Sequence, residues 1–226
     1  MAHAATPLLL IRDVDPLLRG EGRYAAGRGA VPWVRLAAMV ACGGFVYGAA
    51  MGSFGARPMQ ALFSALKVPL FLGAATLVCL PNFYVVNTLL GLRDDFAAAC
   101  RGIFAAQATL AVTLAALSPL TLLAYASSGD YDFALLFNGV AFAVATLAAQ
   151  GTLSRHYRAL VAANPRHRVG RLAWVLLYVF VAIQLAWVLR PFVGSPGIPT
   201  RFLREDAWSN AYVVVADLIA RFVAGR

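Results

Sequence analysis

The sequence predicts an all-α polytopic transmembrane helix bundle of five spans plus a carboxy-terminal interfacial amphipathic helix, with six spans as the alternative. Three observations predict it. Hydrophobic side chains make up 61% of the 226 residues and charged ones only 13%, about half the share of a soluble domain, so too few polar groups remain to coat a globule in water. Five apolar runs are each close to or longer than the roughly 20 residues that cross a hydrocarbon core. Short polar connections join these runs, which makes the helices sequential neighbours in one bundle with no separate soluble domain.

Residues 1–32 form a polar leader carrying Arg12, Asp13, Asp15, Arg19, Glu21, Arg23 and Arg28. No basic residue precedes its short apolar patch, so a cleaved secretory signal is not expected. The first span is expected at 33–52, the second at 65–91, the third at 102–126, the fourth at 133–153 and the fifth at 172–189. Together, 33–189 make the bundle and 190–226 an outer, proline-rich lid followed by the last helix. In 206–222, Trp208, Tyr212, Val215, Ile219 and Phe222 share one helical face while Ser209, Asp217 and Arg221 take the other, the pattern of a helix lying on the membrane surface.

The formal charge is +9, from 19 basic and 10 acidic residues. Eighteen of the bases are arginine and one is Lys67, a ratio that points to a GC-rich, bacterial genome. They gather in connections, without a stripe or a nucleic-acid motif, so contact with anionic lipid is expected and nucleic acid is not. With the amino terminus in the cytoplasm of an inner membrane, twelve bases fall inside and seven outside, as the positive-inside rule requires. The connection SSGDYD has no base and reads as outer, whereas SRHYRALVAANPRHRVGR is the most basic and reads as cytoplasmic.

Gly44, Gly48 and Gly52 recur every fourth residue in the first span, a small-residue ridge against which another helix packs closely, either within the chain or from a partner. The second span carries Pro69 and Pro81, expected to kink it, and the amides Asn82 and Asn87. Those amides are expected to cap free carbonyls and to bond across to Gln107 of the third span or Gln184 of the fifth, with the lining of a polar cavity as the other reading. Lys67 is expected to snorkel at the outer end of its span. Trp174 and Trp187 are expected to mark the two ends of the fifth span at headgroup depth. Arg155, Arg158, Arg166, Arg168 and Arg190 are expected to contact lipid headgroups or a partner.

Chemistry-bearing groups are sparse. Asp94 and Asp95 share a turn without a further acid or His at metal spacing, and His156 and His167 stand in the basic connection without an acidic or Cys partner in sequence. Cys42, Cys79 and Cys100 form no zinc or disulfide pattern. No metal, cofactor or catalytic group is expected.

The start Lys67-Val68-Pro69, the pattern Leu80-Pro81 with Tyr84 and Asn87, and Leu189-Arg190-Pro191-Phe192 resemble motifs of bacterial Yip1-like integral membrane proteins over residues 33–200. That resemblance implies membrane organisation or an adaptor role without a defined reaction. The expected function is therefore a non-enzymatic membrane subunit or scaffold that packs with another membrane protein or with itself. The alternative is a small transporter or channel that uses the second span as a pathway, although spans one to five contain no Asp or Glu at these boundaries to couple protons or cations.

Overall fold

The computed structural model describes residues 7–25, 31–195, 197, 199–203 and 213. Apart from Val213, the carboxy-terminal helix expected at 206–222 lies outside them. The described residues contain no strand. Helix α1 (Pro7–Arg19) leads through a short 3-10 turn to α2 (Trp33–Gly52), α3 (Pro58–Leu89), α4 (Phe96–Ser127), α5 (Tyr131–Ala163) and α6 (His167–Leu189). Helices α2 to α6 are long and apolar enough to cross a membrane, and the protein is a multi-pass membrane protein.

Four of the five helices are longer than the apolar runs that announce them. α3 starts at Pro58, whose fixed φ and missing amide suit a first helical position, and runs as one helix through Pro69 and Pro81. α5 continues through most of the basic connection to Ala163 and stops before Asn164-Pro165, because the residue before a proline is pushed out of the helical region. At its other end the Asp130 carboxylate accepts from the amides of Asp132 and Phe133 at 2.8 and 3.3 Å and caps the helix. These extensions carry polar side chains, so a reading based on hydropathy ends too early.

Close packing rests on small residues. Added Cβ atoms at Gly48 and Gly52 would meet the carbonyl oxygens of Ser64 and Gln60 at 2.2 and 2.6 Å, and one at Gly44 would meet Pro69 at 3.0 Å. The ridge is thus filled by α3 of the same chain. Gly43, on another face of α2, brings the backbone of Ala111 on α4 equally near, at 2.7 Å. Each four-residue step up the ridge matches about four residues back along α3, so the two helices are antiparallel with a fixed register. Ala141, Ala145 and Ala149 of α5 are buried at every fourth position, and Thr109 and Thr152 share a hydrogen bond of 3.1 Å across α4 and α5. α6 is the most peripheral of the five spans, packing chiefly on α3.

The leader is more ordered than its polarity suggests. Leu10 and Leu17 of α1 are buried and Val14 is half-buried, a 4-3 spacing that forms one apolar face. Asp13 pairs with Arg35 of α2, and the Arg155 guanidinium donates to the Leu18 carbonyl at 2.7 Å, closing the carboxy-terminal end of α1. Tyr24, just beyond, is buried, which pushes its phenol up to about 12 and keeps it neutral.

Candidate functional site

Phe83 of α3 stacks edge-on against Trp174 of α6 at 5.2 Å. Counting one residue up for one down from this antiparallel pair puts Leu189, the end of α6, level with Val68. The first three turns of α3 therefore extend past α6. Pro191 cannot continue a helix, and 190–195 instead run as non-helical backbone beside these turns. Irregular backbone at membrane depth is tolerated only when protein satisfies its polar groups.

α3 supplies that satisfaction from one face. Arg57, Gln60, Ser64 and Lys67, at 3-4-3 spacing, all donate to carbonyls of this segment. Arg57 reaches Ser195 at 2.8 Å, Gln60 reaches Pro191 and Phe192 at 3.1 and 3.0 Å, and Ser64 donates to Phe192. Lys67 donates to Pro191 at 2.8 Å. Its ammonium also lies 5.0 and 6.0 Å from the ring centres of Phe202 and Phe192, a cation–π arrangement. Lys67 is 0% exposed, and no described carboxylate forms an ion pair with it. The snorkelling expected of Lys67 is corrected: with α3 begun at Pro58, it lies nine residues into the helix. By the glycine register it is level with Phe45 and Val46, nearly two turns inside the end of α2 at Gly52.

Beside this ladder, a cavity of about 380 Å³ opens between α5 and α6, walled by Phe71, Leu135, Gly139, Phe142, Ala186 and Arg190 among others. Asn138 lines it and anchors a buried polar network that ties three helices. Its Oδ1 accepts from Tyr47 at 2.8 Å, and its Nδ2 donates to the Tyr125 hydroxyl at 2.6 Å and to the Ala134 carbonyl at 2.7 Å. Tyr125 in turn donates to the Met51 carbonyl at 3.1 Å. Sequence reasoning missed both groups. A polar 3-4-3 stripe was there to be seen once the helix began at Pro58, whereas Tyr47, Tyr125 and Asn138 carry no local signal and meet only through the tertiary fold.

The expected intramembrane amides do not converge. Asn82 is exposed and donates to Val78 of its own helix at 3.4 Å, and Asn87 is buried and donates to Phe83 at 2.8 Å. Neither bonds to Gln107 or Gln184, because each reaches the carbonyl one turn back before another helix comes within range. Gln107 accepts from Tyr178 of α6 at 3.2 Å, and Gln184 is half-buried on α6. The glycine register puts Asn82 beyond the first residue of α2. Trp174, expected at headgroup depth, is buried against Phe83, because α6 starts at His167 and puts it two turns inside. Trp187 lies under Arg190, whose guanidinium carbon is 3.3 Å from the ring centre.

At the end of the bundle that holds the basic connection, two expected surface arginines are used for folding. Arg155 closes α1 as described, and Arg166 donates to the Leu90 carbonyl at 3.3 Å, where α3 ends in Gly91 with φ of 72°. Arg158 and Arg168 are exposed. His167 has an acidic partner after all: its Nε2 lies 3.0 Å from Asp95, 72 residues away in sequence. This contact and Arg166 clamp the α3–α4 turn to the start of α6. Among the described residues no group of three His, Cys, Asp or Glu side chains is arranged to hold a metal ion.

No family model, curated protein or solved structure matches the chain.

Proposed function

We propose that the protein is a non-enzymatic integral membrane subunit, a compact helical scaffold that docks another membrane protein or a second copy of itself. The observation that carries this reading is where its membrane-embedded polar side chains go. Lys67, Gln60 and Ser64 bond to the 190–195 backbone, Asn82 and Asn87 to their own helix, and Gln107 to Tyr178. They hold the fold and are not strung along one path for a solute to follow. The distribution of bases supports an inner-membrane protein with the basic end, and with it the amino terminus, in the cytoplasm. There Arg158 and Arg168 are exposed to anionic headgroups or to a partner's carboxylates. An adaptor role also agrees with the resemblance to Yip1-like proteins.

Pull-down of the full chain in mild detergent, followed by mass spectrometry and sizing, tests the proposal. A stoichiometric membrane partner or a stable homo-oligomer is expected. A monomer that passes ions or small solutes after reconstitution, and loses that activity in a well-folded Gln107→Leu variant, would overturn it in favour of a transporter.

A further inference from the structure

A cavity of about 200 Å³ is enclosed by α4, α5 and α6, with Phe71 and Leu72 of α3 behind them. Two glutamines line it. Gln107 of α4 is 7% exposed, and Gln150 of α5 is half-buried. The bond between Thr109 and Thr152 sets the register of these antiparallel helices and puts the two glutamines within about one turn of each other. From the centres of the apolar runs 102–126 and 133–153 both lie about 10 Å toward the basic end, within the roughly 15 Å half-thickness of a hydrocarbon core.

An amide at that depth is costly unless protein or a bound molecule satisfies it. Gln107 is satisfied at one end only. The Tyr178 hydroxyl donates to its Oε1 at 3.2 Å, whereas its Nε2 has no acceptor and is not sealed in. Gln150 bonds to no described residue. Gln107 also borders a void of about 300 Å³ between α2, α3 and α4, but the other polar side chain there, Thr76, already donates to the Leu72 carbonyl. Of the two voids, the one toward α5 is where unpartnered amides converge.

The walls select what those amides meet. Phe142, Trp174 and Tyr178 supply flat apolar faces, and no charged side chain among the described residues lines the cavity. A phosphate, ammonium or carboxylate would therefore enter unpaired, at high cost. The volume lies below that of drug-sized sites and suits a headgroup rather than a whole lipid. Thr146, Val179 and Ile183 line the cavity and are exposed, which leaves a way out for a tail between α5 and α6. Free amide N–H groups call for acceptors. A neutral, planar ring that bears carbonyls and trails a hydrocarbon tail meets all of these conditions.

We propose that this cavity binds the ring of a membrane-soluble quinone, whose carbonyl oxygens accept from Gln107 and Gln150 and whose tail leaves past Thr146 into the bilayer. Such binding goes beyond the scaffold reading and needs no protein partner.

The test is native mass spectrometry and thermal melting of the full chain in phosphatidylcholine discs, with and without decylubiquinone. The wild-type chain is expected to retain one quinone and to melt higher with it. Gln150→Leu removes an amide that the fold does not use, so it should melt at least as high as the wild type without quinone and bind quinone about tenfold more weakly. Ala182→Phe, on the α6 wall, fills the cavity and should abolish binding. Decylbenzene, with the same tail and no carbonyl, should be neither retained nor stabilising. No quinone bound by the wild type, or binding unchanged in folded Gln150→Leu or Ala182→Phe, would overturn the site. So would equal stabilisation by decylbenzene, which would assign the cavity to hydrocarbon alone.

Discussion

Lys67 shows how a buried charge can serve a fold when no described carboxylate pairs with it. Its ammonium meets one carbonyl and two aromatic faces, and the Pro191 carbonyl it serves also accepts from Gln60. Removing the amine while keeping the stem therefore leaves that carbonyl bonded, and also removes the cost of burying a cation. Lys67→Met is expected to stay within about 1 kcal/mol of the wild type. Lys67→Glu points a carboxylate at the Pro191 carbonyl and at the negative faces of two rings, and should cost several kcal/mol. Melting of both variants in one detergent checks this, and equal losses would show that the amine is not aimed at the carbonyl. Asn87 makes a contrasting case. It donates only to Phe83 of its own helix, and its Oδ1 is buried without a partner, so Asn87→Leu should change stability by less than about 1 kcal/mol. The residue types at both positions were legible in the sequence. Their partners were not, because Pro191 lies 124 residues from Lys67 and nothing local encodes that pairing.

At the scale of elements, the small-residue ridge was readable because a period of four is a local property of one helix. The helix that fills it was not readable, since the same glycines suit a neighbour within the chain or outside it. The structure assigns them to α3, and the contact distances permit a sharp comparison. A side chain at Gly48 would collide with the Ser64 backbone, which cannot step aside without moving α3, whereas Gly73 has nothing within 4 Å. Gly48→Leu should cost upwards of about 3 kcal/mol and weaken the α2–α3 contact, and Gly73→Leu should be nearly silent. Thermal stability and detergent sizing of the two variants decide it, and equal behaviour would remove the ridge from the packing. Helix ends show the opposite weakness of the sequence. Arg57, Gln60 and Ser64 lower the hydropathy of the first turns of α3, so a search for apolar runs discards the turns that hold the 190–195 segment.

For the whole molecule, the class of fold follows from composition, because 61% hydrophobic residues leave only lipid as a solvent for so much apolar surface. The direction of insertion depends on an asymmetry of charge that also survives in three dimensions. Arg155, Arg158, Arg166, Arg168 and Arg171 lie at the same end as Asp95 and the α3–α4 turn, tied to it through His167 and Arg166. The opposite end of α4 and α5 is joined by a connection with Asp130 and no base. Keeping five arginines on the side of synthesis costs less than moving them across, which predicts a cytoplasmic basic end. Two positions report on this without entering the core: Ser128 is half-exposed just beyond α4, and Ala163 is exposed at the last residue of α5. With Cys42, Cys79 and Cys100 replaced, a membrane-impermeant thiol reagent applied to intact cells should label Ser128→Cys and spare Ala163→Cys until the membrane is permeabilised. Labelling of Ala163→Cys alone in intact cells would invert the topology.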